Sequence, residues 1–133
     1  NDGQTLFFAA RVAWLADSPT AGLAAAQAAL ERIDGNDQAG RGRLLNLCGC
    51  ALDVADKVAD ALPYFEQAAR AHPDDAKMYL ANVAECHAKL GDWTRARDAA
   101  TSARAQGSTS TVVEQILAGT FLQNEADPDA DPD

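Results

Sequence analysis

Seven segments with the apolar periodicity of an α-helix follow one another along this chain, and most are separated only by short turns. They run over 5–17, 21–33, 43–55, 59–71, 76–90, 93–106 and 108–123. Turns this short leave consecutive helices as antiparallel neighbours, so the expected product is a series of packed helical hairpins. Composition points the same way. Hydrophobic residues make up 47% of the chain, with Ala foremost, while aromatic residues make up 6%. Abundant Ala with few β-branched or aromatic side chains favours packed helices over sheets. An all-α fold in one domain is the expectation for 133 residues.

Local chemistry places the boundaries. "SPT" (18–20) offers an N-cap and a helix-start proline before "AGLAAAQAALERI". "DGNDQAGRG" (34–42) is turn chemistry without periodicity and reads as a loop. Pro63 would damage a helix interior, but Asp60 as N-cap would keep it in the first turn, where no N–H partner is lost. "HPDD" (72–75) ends the fourth helix and caps the fifth, with His72 as a capping residue. Gly107 is the expected C-cap of the sixth helix. Val112, Val113, Ile116, Leu117 and Phe121 stand at helical spacing in the seventh. The acidic, Pro-broken "NEADPDADPD" (124–133) has the composition of a disordered tail.

The pairs repeat. Residues 45–73 contain Leu45-x2-Cys48-Gly49-x2-Leu52, then Ala61-x3-Phe65-x2-Ala68, then Pro73. The frame recurs 35 residues on as Leu80, Val83, Ala84 and His87, followed by Ala96, Ala100 and Ala103. A looser copy lies 40 residues upstream, with Phe8, Ala9 and Val12, then Ala21, Ala25 and Ala28. The pattern resembles the tetratricopeptide repeat. That resemblance implies a right-handed superhelical array of about three helix hairpins, over roughly 2–34, 42–75 and 77–108, plus a capping helix at 110–123. The domain would then span 1–123. Gly49 falls where paired helices approach most closely, and Cys48 takes a position usually held by Leu, so the cysteines of "NLCGCALD" read as packing residues.

Several chemistries are disfavoured. A net charge of −9 opposes binding to nucleic acid and to anionic membrane surfaces, and no apolar run is long enough to span a bilayer. Three cysteines are too few, and an odd number, for a disulfide framework, which suggests a reducing, cytoplasmic setting. Cys48, Cys50, Cys86 and His87 could in principle bind zinc. However, Cys48 and Cys50 would point about 200° apart on a helix, and Cys86 and His87 about 100° apart. His87 has no Ser, Cys or Asp at a spacing that would form a relay, so a hydrogen-bonded buried imidazole is the simpler reading. "DPDADPD" lacks the glycine and distal Glu of a calcium loop. No phosphate loop or dinucleotide fingerprint occurs. No cofactor, metal site or catalytic residue is expected, and the chain does not read as an enzyme.

In tetratricopeptide arrays the first helix of each pair lines a concave surface that holds a peptide. Carried over by that resemblance, the groove would comprise Leu6, Ala10, Ala13 and Trp14; then Arg43, Asn46, Cys50 and Asp53; then Met78, Ala81, Glu85 and Lys89. Each set keeps to one helix face. Trp14 and Met78 would supply apolar contact. Arg43, Asn46 and Lys89 would meet peptide carbonyls or a carboxylate.

The stretch "ANVAECHAKLGDWTRARDAATSAR" (81–104) is similar to the last repeat of class II type III secretion chaperones, and 43–107 is compatible with that family. The resemblance implies a small cytoplasmic bacterial chaperone that grips a translocator segment, in a family where self-association through the N-terminal helices, as a homodimer, is common. The sequence departs from that pattern in its long 34–42 connection and in its few groove aromatics. The alternative reading is a repeat scaffold within a larger protein or assembly, with which a start at Asn1 and an Asp/Pro-rich end are consistent.

Overall fold

The computed structural model describes residues 2–121. Over them the chain is all-α: α1 (Gly3–Ala16), α2 (Pro19–Arg32), α3 (Gln38–Val54), α4 (Val58–Ala71), α5 (Ala76–Lys89), α6 (Trp93–Ala105) and α7 (Thr111–Ala118), with one 3₁₀ turn at Pro73–Asp75. The acidic end expected to be disordered lies outside the described residues.

Helices α1 and α2, α3 and α4, and α5 and α6 form three antiparallel hairpins. Each hairpin stacks on the next through α2 against α3 and α4 against α5, while α7 closes the stack against α5 and α6. Small residues permit the close approach. At the C-terminal end Ala84, Ala96, Ala100 and Ala103 are fully buried, together with Val113 and Ile116 of α7. A second cluster joins Ala10, Ala26, Ala29, Ile33, Leu44, Leu47 and Cys48 at the other end. Between them Ala61, Phe65, Val83 and Cys86 knit α4 to α5. Gly49 faces the Phe65 ring so closely that a Cβ there would come 2.6 Å from Cε1.

Caps account for most boundaries. Ser18 accepts from the Ala21 N–H at 3.1 Å with Pro19 directly behind it, as expected. Asp92 and Ser110 cap α6 and α7 in the same way. Gly107 follows the Gln106 C-cap at φ 101°, a left-handed conformation that favours glycine.

Four expectations are corrected. The 34–42 loop is shorter than read, because Asp37 caps α3 and draws "QAGRG" into its first turns. Helix α4 starts from Lys57, not Asp60, so Pro63 sits in the helix interior and the bond its N–H would have made to the Ala59 carbonyl is missing. Helix α7 ends at Ala118 rather than 123, where Gly119 turns left-handed at φ 78° and Phe121 folds back into the core. The register of the first hairpin is shifted as well. Phe8 and Val12 are exposed, and the buried positions are Gly3 and Ala10 on α1 and Gly22, Ala26 and Ala29 on α2. The cause is that α1 has apolar residues on every face and α2 is rich in alanine, so their sequences carry little phase information.

Candidate peptide-binding groove

The first helices of the three hairpins, α1, α3 and α5, present a shared face. Between α1 and α3 a cavity of about 270 Å³ is lined by Phe7, Arg11, Trp14, Leu15, Asn46, Leu47 and Cys50. Trp14 is fixed there because its base packs over Gly22 of α2, where a Cβ would come 2.8 Å from the Trp14 Cβ. The Arg11 guanidinium lies 5.9 Å from the centre of the Phe7 ring, within cation–π range. The Cys50 thiol points among these groups, and its pKa is pushed up to about 11, first by burial and then by the charges of Asp53 and Glu85. A thiol so raised stays protonated at neutral pH and contributes as a small apolar contact.

Polar pairs tie α3 to α5 across the same face. Asn82 Nδ2 donates to Asn46 Oδ1 at 2.9 Å. Lys89 Nζ lies 3.1 Å from Asp53 Oδ1 and 3.2 Å from Glu85 Oε2. Burial alone would lower the Lys89 pKa, but the two carboxylates outweigh it and raise it. Beyond α5 a second cavity, of about 340 Å³, lies among Lys77, Met78, Ala81, Asn82 and the 107–110 turn.

The structure brings together Trp14, Asn46 and Cys50 at one cavity and Met78 at the other, and joins Asp53, Glu85 and Lys89 in an ion-pair cluster. Arg43 is exposed on α3. Two of the expected groove residues lie elsewhere. Ala10 is fully buried in the N-terminal core and cannot touch a ligand. Leu6 packs partly buried against the same cluster. Ala81 belongs to the C-terminal core and also lines the second cavity. Lys89 was expected to meet a client's carbonyls or carboxylate, but it is already held by two carboxylates.

Phe7, Arg11, Leu47 and Asn82 also stand on this face, outside the stripes expected from the sequence. Phe7, Arg11 and Trp14 form an i, i+4, i+7 stripe like the others. On α1, however, that stripe shares Trp14 with the wholly apolar Leu6, Ala10 and Trp14, and periodicity favours the latter. Asn82 was marked only by its spacing of 36 from Asn46, one residue from the repeat period.

Among the described residues, no group of three His, Cys, Asp or Glu side chains is placed to hold a metal ion. No helix there is long and apolar enough to cross a membrane. Residues 55–119 match the tetratricopeptide repeat family. Repeats of that family generally mediate protein–protein interaction and are not enzymes. No curated protein matches the chain.

Proposed function

We propose that this repeat array is a non-enzymatic adaptor or chaperone that holds a segment of a client protein across the face formed by α1, α3 and α5. The observation that carries the reading is the cavity between α1 and α3, where Phe7, Trp14, Leu47 and Cys50 surround a space of about 270 Å³ beside the Asn46–Asn82 pair. That volume suits one large apolar side chain, and burying one contributes about 1.5–3 kcal/mol. The asparagine pair adds backbone recognition. Whichever amide donates within the pair, one carboxamide NH₂ and one carbonyl oxygen remain to meet a peptide group. Two or three such contacts give micromolar affinity after ordering costs.

The most concrete form of this function is the secretion chaperone that 81–104 resembles. Such a protein would bury an apolar segment of a membrane-active subunit and so keep the subunit from aggregating or assembling early.

The test is affinity capture from the source cell by the wild-type chain and by a Trp14→Ala/Asn46→Ala variant whose circular dichroism is unchanged, followed by mass spectrometry. Loss of one client from the variant supports the groove. A client that is a secreted, membrane-active protein supports the chaperone form. Identical partners from both proteins would sink the groove reading.

A further inference from the structure

The two cavities on the α1, α3 and α5 face are linked. Asn46 lines the one between α1 and α3, Asn82 lines the one beyond α5, and their side chains are joined by a 2.9 Å hydrogen bond. That bond crosses from α3 to α5, so a path from one cavity to the other runs across the helices rather than along them. It covers about two helix-to-helix spacings, roughly 20 Å. An extended chain rising about 3.3 Å per residue spans that distance in about six residues.

Charge defines what can follow this path. Carboxylates outnumber Lys and Arg by 20 to 11 in the chain, yet none lines either cavity, while a cation lines each. Arg11 stands at the first, against the Phe7 ring, and Lys77 at the second. Neither makes an ion pair among the described residues, whereas Lys89 on the same face is held by Asp53 and Glu85. The second cavity is rich in donors as well. Ser108 Oγ accepts from the Ser110 N–H and Ser110 Oγ from the Val113 N–H, which leaves both hydroxyl hydrogens free to donate. An ionised carboxylate only accepts, so Lys77 beside these hydroxyls suits one.

We infer that the segment held in the groove is extended and acidic at two points. An apolar anchor enters the first cavity with a Glu or Asp next to it facing Arg11. A second Glu or Asp, about six residues from the anchor, meets Lys77. The inference rests on the proposed groove and adds the charge and the spacing that the groove selects.

Acetylated and amidated peptides of about 12 residues test this, since only their side chains then carry carboxylates. Each has a fluorophore, a Phe anchor with a neighbouring Glu, and a second Glu about six residues from the anchor in a Ser/Gly background. Both chain directions are made. Matched peptides carry Gln for both Glu, or bring the second Glu to within about two residues of the anchor. Fluorescence anisotropy with the full chain is expected to show, for one direction, about tenfold tighter binding of the Glu peptide than of the Gln peptide. Bringing the second Glu inward should lose about threefold. Lys77→Glu should weaken the Glu peptide about fivefold, and a peptide with Lys in place of the second Glu should recover that loss. Arg11→Gln should remove only the share of the Glu next to the anchor. Both side chains are exposed, so these variants keep the fold. Equal binding of the Glu and Gln peptides, both lost in a Trp14→Ala variant of unchanged circular dichroism, would overturn the charge assignment and leave the groove standing. Affinity indifferent to the place of the second Glu, or a Lys77→Glu loss that the Lys peptide does not reverse, would overturn the two-cavity path. Binding that Trp14→Ala leaves intact, or no binding of any peptide, would overturn the groove reading and this inference with it.

Discussion

One carboxylate, Asp37, starts two helices: its Oδ2 accepts from the Gly3 N–H at 3.0 Å and its Oδ1 from the Gly40 N–H at 2.9 Å. The first bond satisfies the leading amide of α1, whose N-cap is Asp2, and the second caps α3. The shared cap requires the two helix starts to touch, and a Cβ on Gly3 would come 2.8 Å from Gly40 Cα. A single side chain in the turn after α2 thus ties the start of the first hairpin to the start of the second.

Asp37→Ala is expected to cost more than one ordinary N-cap, about 1–2 kcal/mol, because it orphans amides on two helices. Urea unfolding measures this. Asp37→Asn should recover part of the loss, since a carboxamide oxygen can still cap one of them. A loss confined to a few tenths of a kcal/mol would mean that water replaces both bonds.

Gly49→Ala gains helix propensity of roughly 1 kcal/mol but meets the Phe65 ring, which is 2% exposed and has nowhere to swing. The Cβ would stand 2.6, 2.8 and 2.9 Å from three ring carbons. Overpacking should win, with a net loss of about 1–3 kcal/mol. Pairing the change with Phe65→Leu should cost less than the sum of the single changes, and strict additivity would show that the contact is not the cause.

Tyr79 is fully buried and shares a 2.9 Å hydrogen bond with His72 Nδ1. Tyr79→Phe keeps the ring and removes the hydroxyl, leaving a buried imidazole nitrogen without that partner. A loss of about 1–3 kcal/mol is expected in thermal or urea unfolding. An unchanged midpoint would show that Asp75, 3.7 Å from the same nitrogen, takes over.

Burial pushes the Cys48 and Cys86 thiols up to about 12 and Cys50 to about 11, from an ordinary value of 9.0. Between pH 9 and these values the unfolded chain releases protons that the folded chain retains. Stability should therefore be full below about pH 9 and fall as pH rises toward 12. Cys48→Ala/Cys50→Ala/Cys86→Ala should flatten that alkaline decline in urea midpoints taken across the range. A decline of the same steepness would assign it to other groups, such as Tyr79, whose hydroxyl is also raised to about 12, chiefly by burial.

The sequence by itself determined the element type, the hairpin order and most caps. Short turns, Ser18–Pro19, Gly107 and the recurring Gly49 and Ala61 frame act within one helix or between neighbours, so local chemistry is enough to read them. Within the candidate groove, Trp14, Asn46, Cys50 and Met78 were legible for the same reason, since helical spacing fixes which residues share a face. Tertiary structure decided the rest. Where a helix has apolar residues on every face, as α1 has, the buried face is chosen by what packs against it. Gly3 meeting Gly40, and Trp14 meeting Gly22, turned Ala10 inward and left Phe8, Val12 and Leu15 outside. The start of α3 was hidden because its cap, Asp37, is recruited partly by α1, more than thirty residues away. Lys89 looked available to a client because the carboxylate of Asp53 that holds it comes from a different hairpin. Pairings across hairpins leave no periodic trace in the chain, so only the folded arrangement could reveal them.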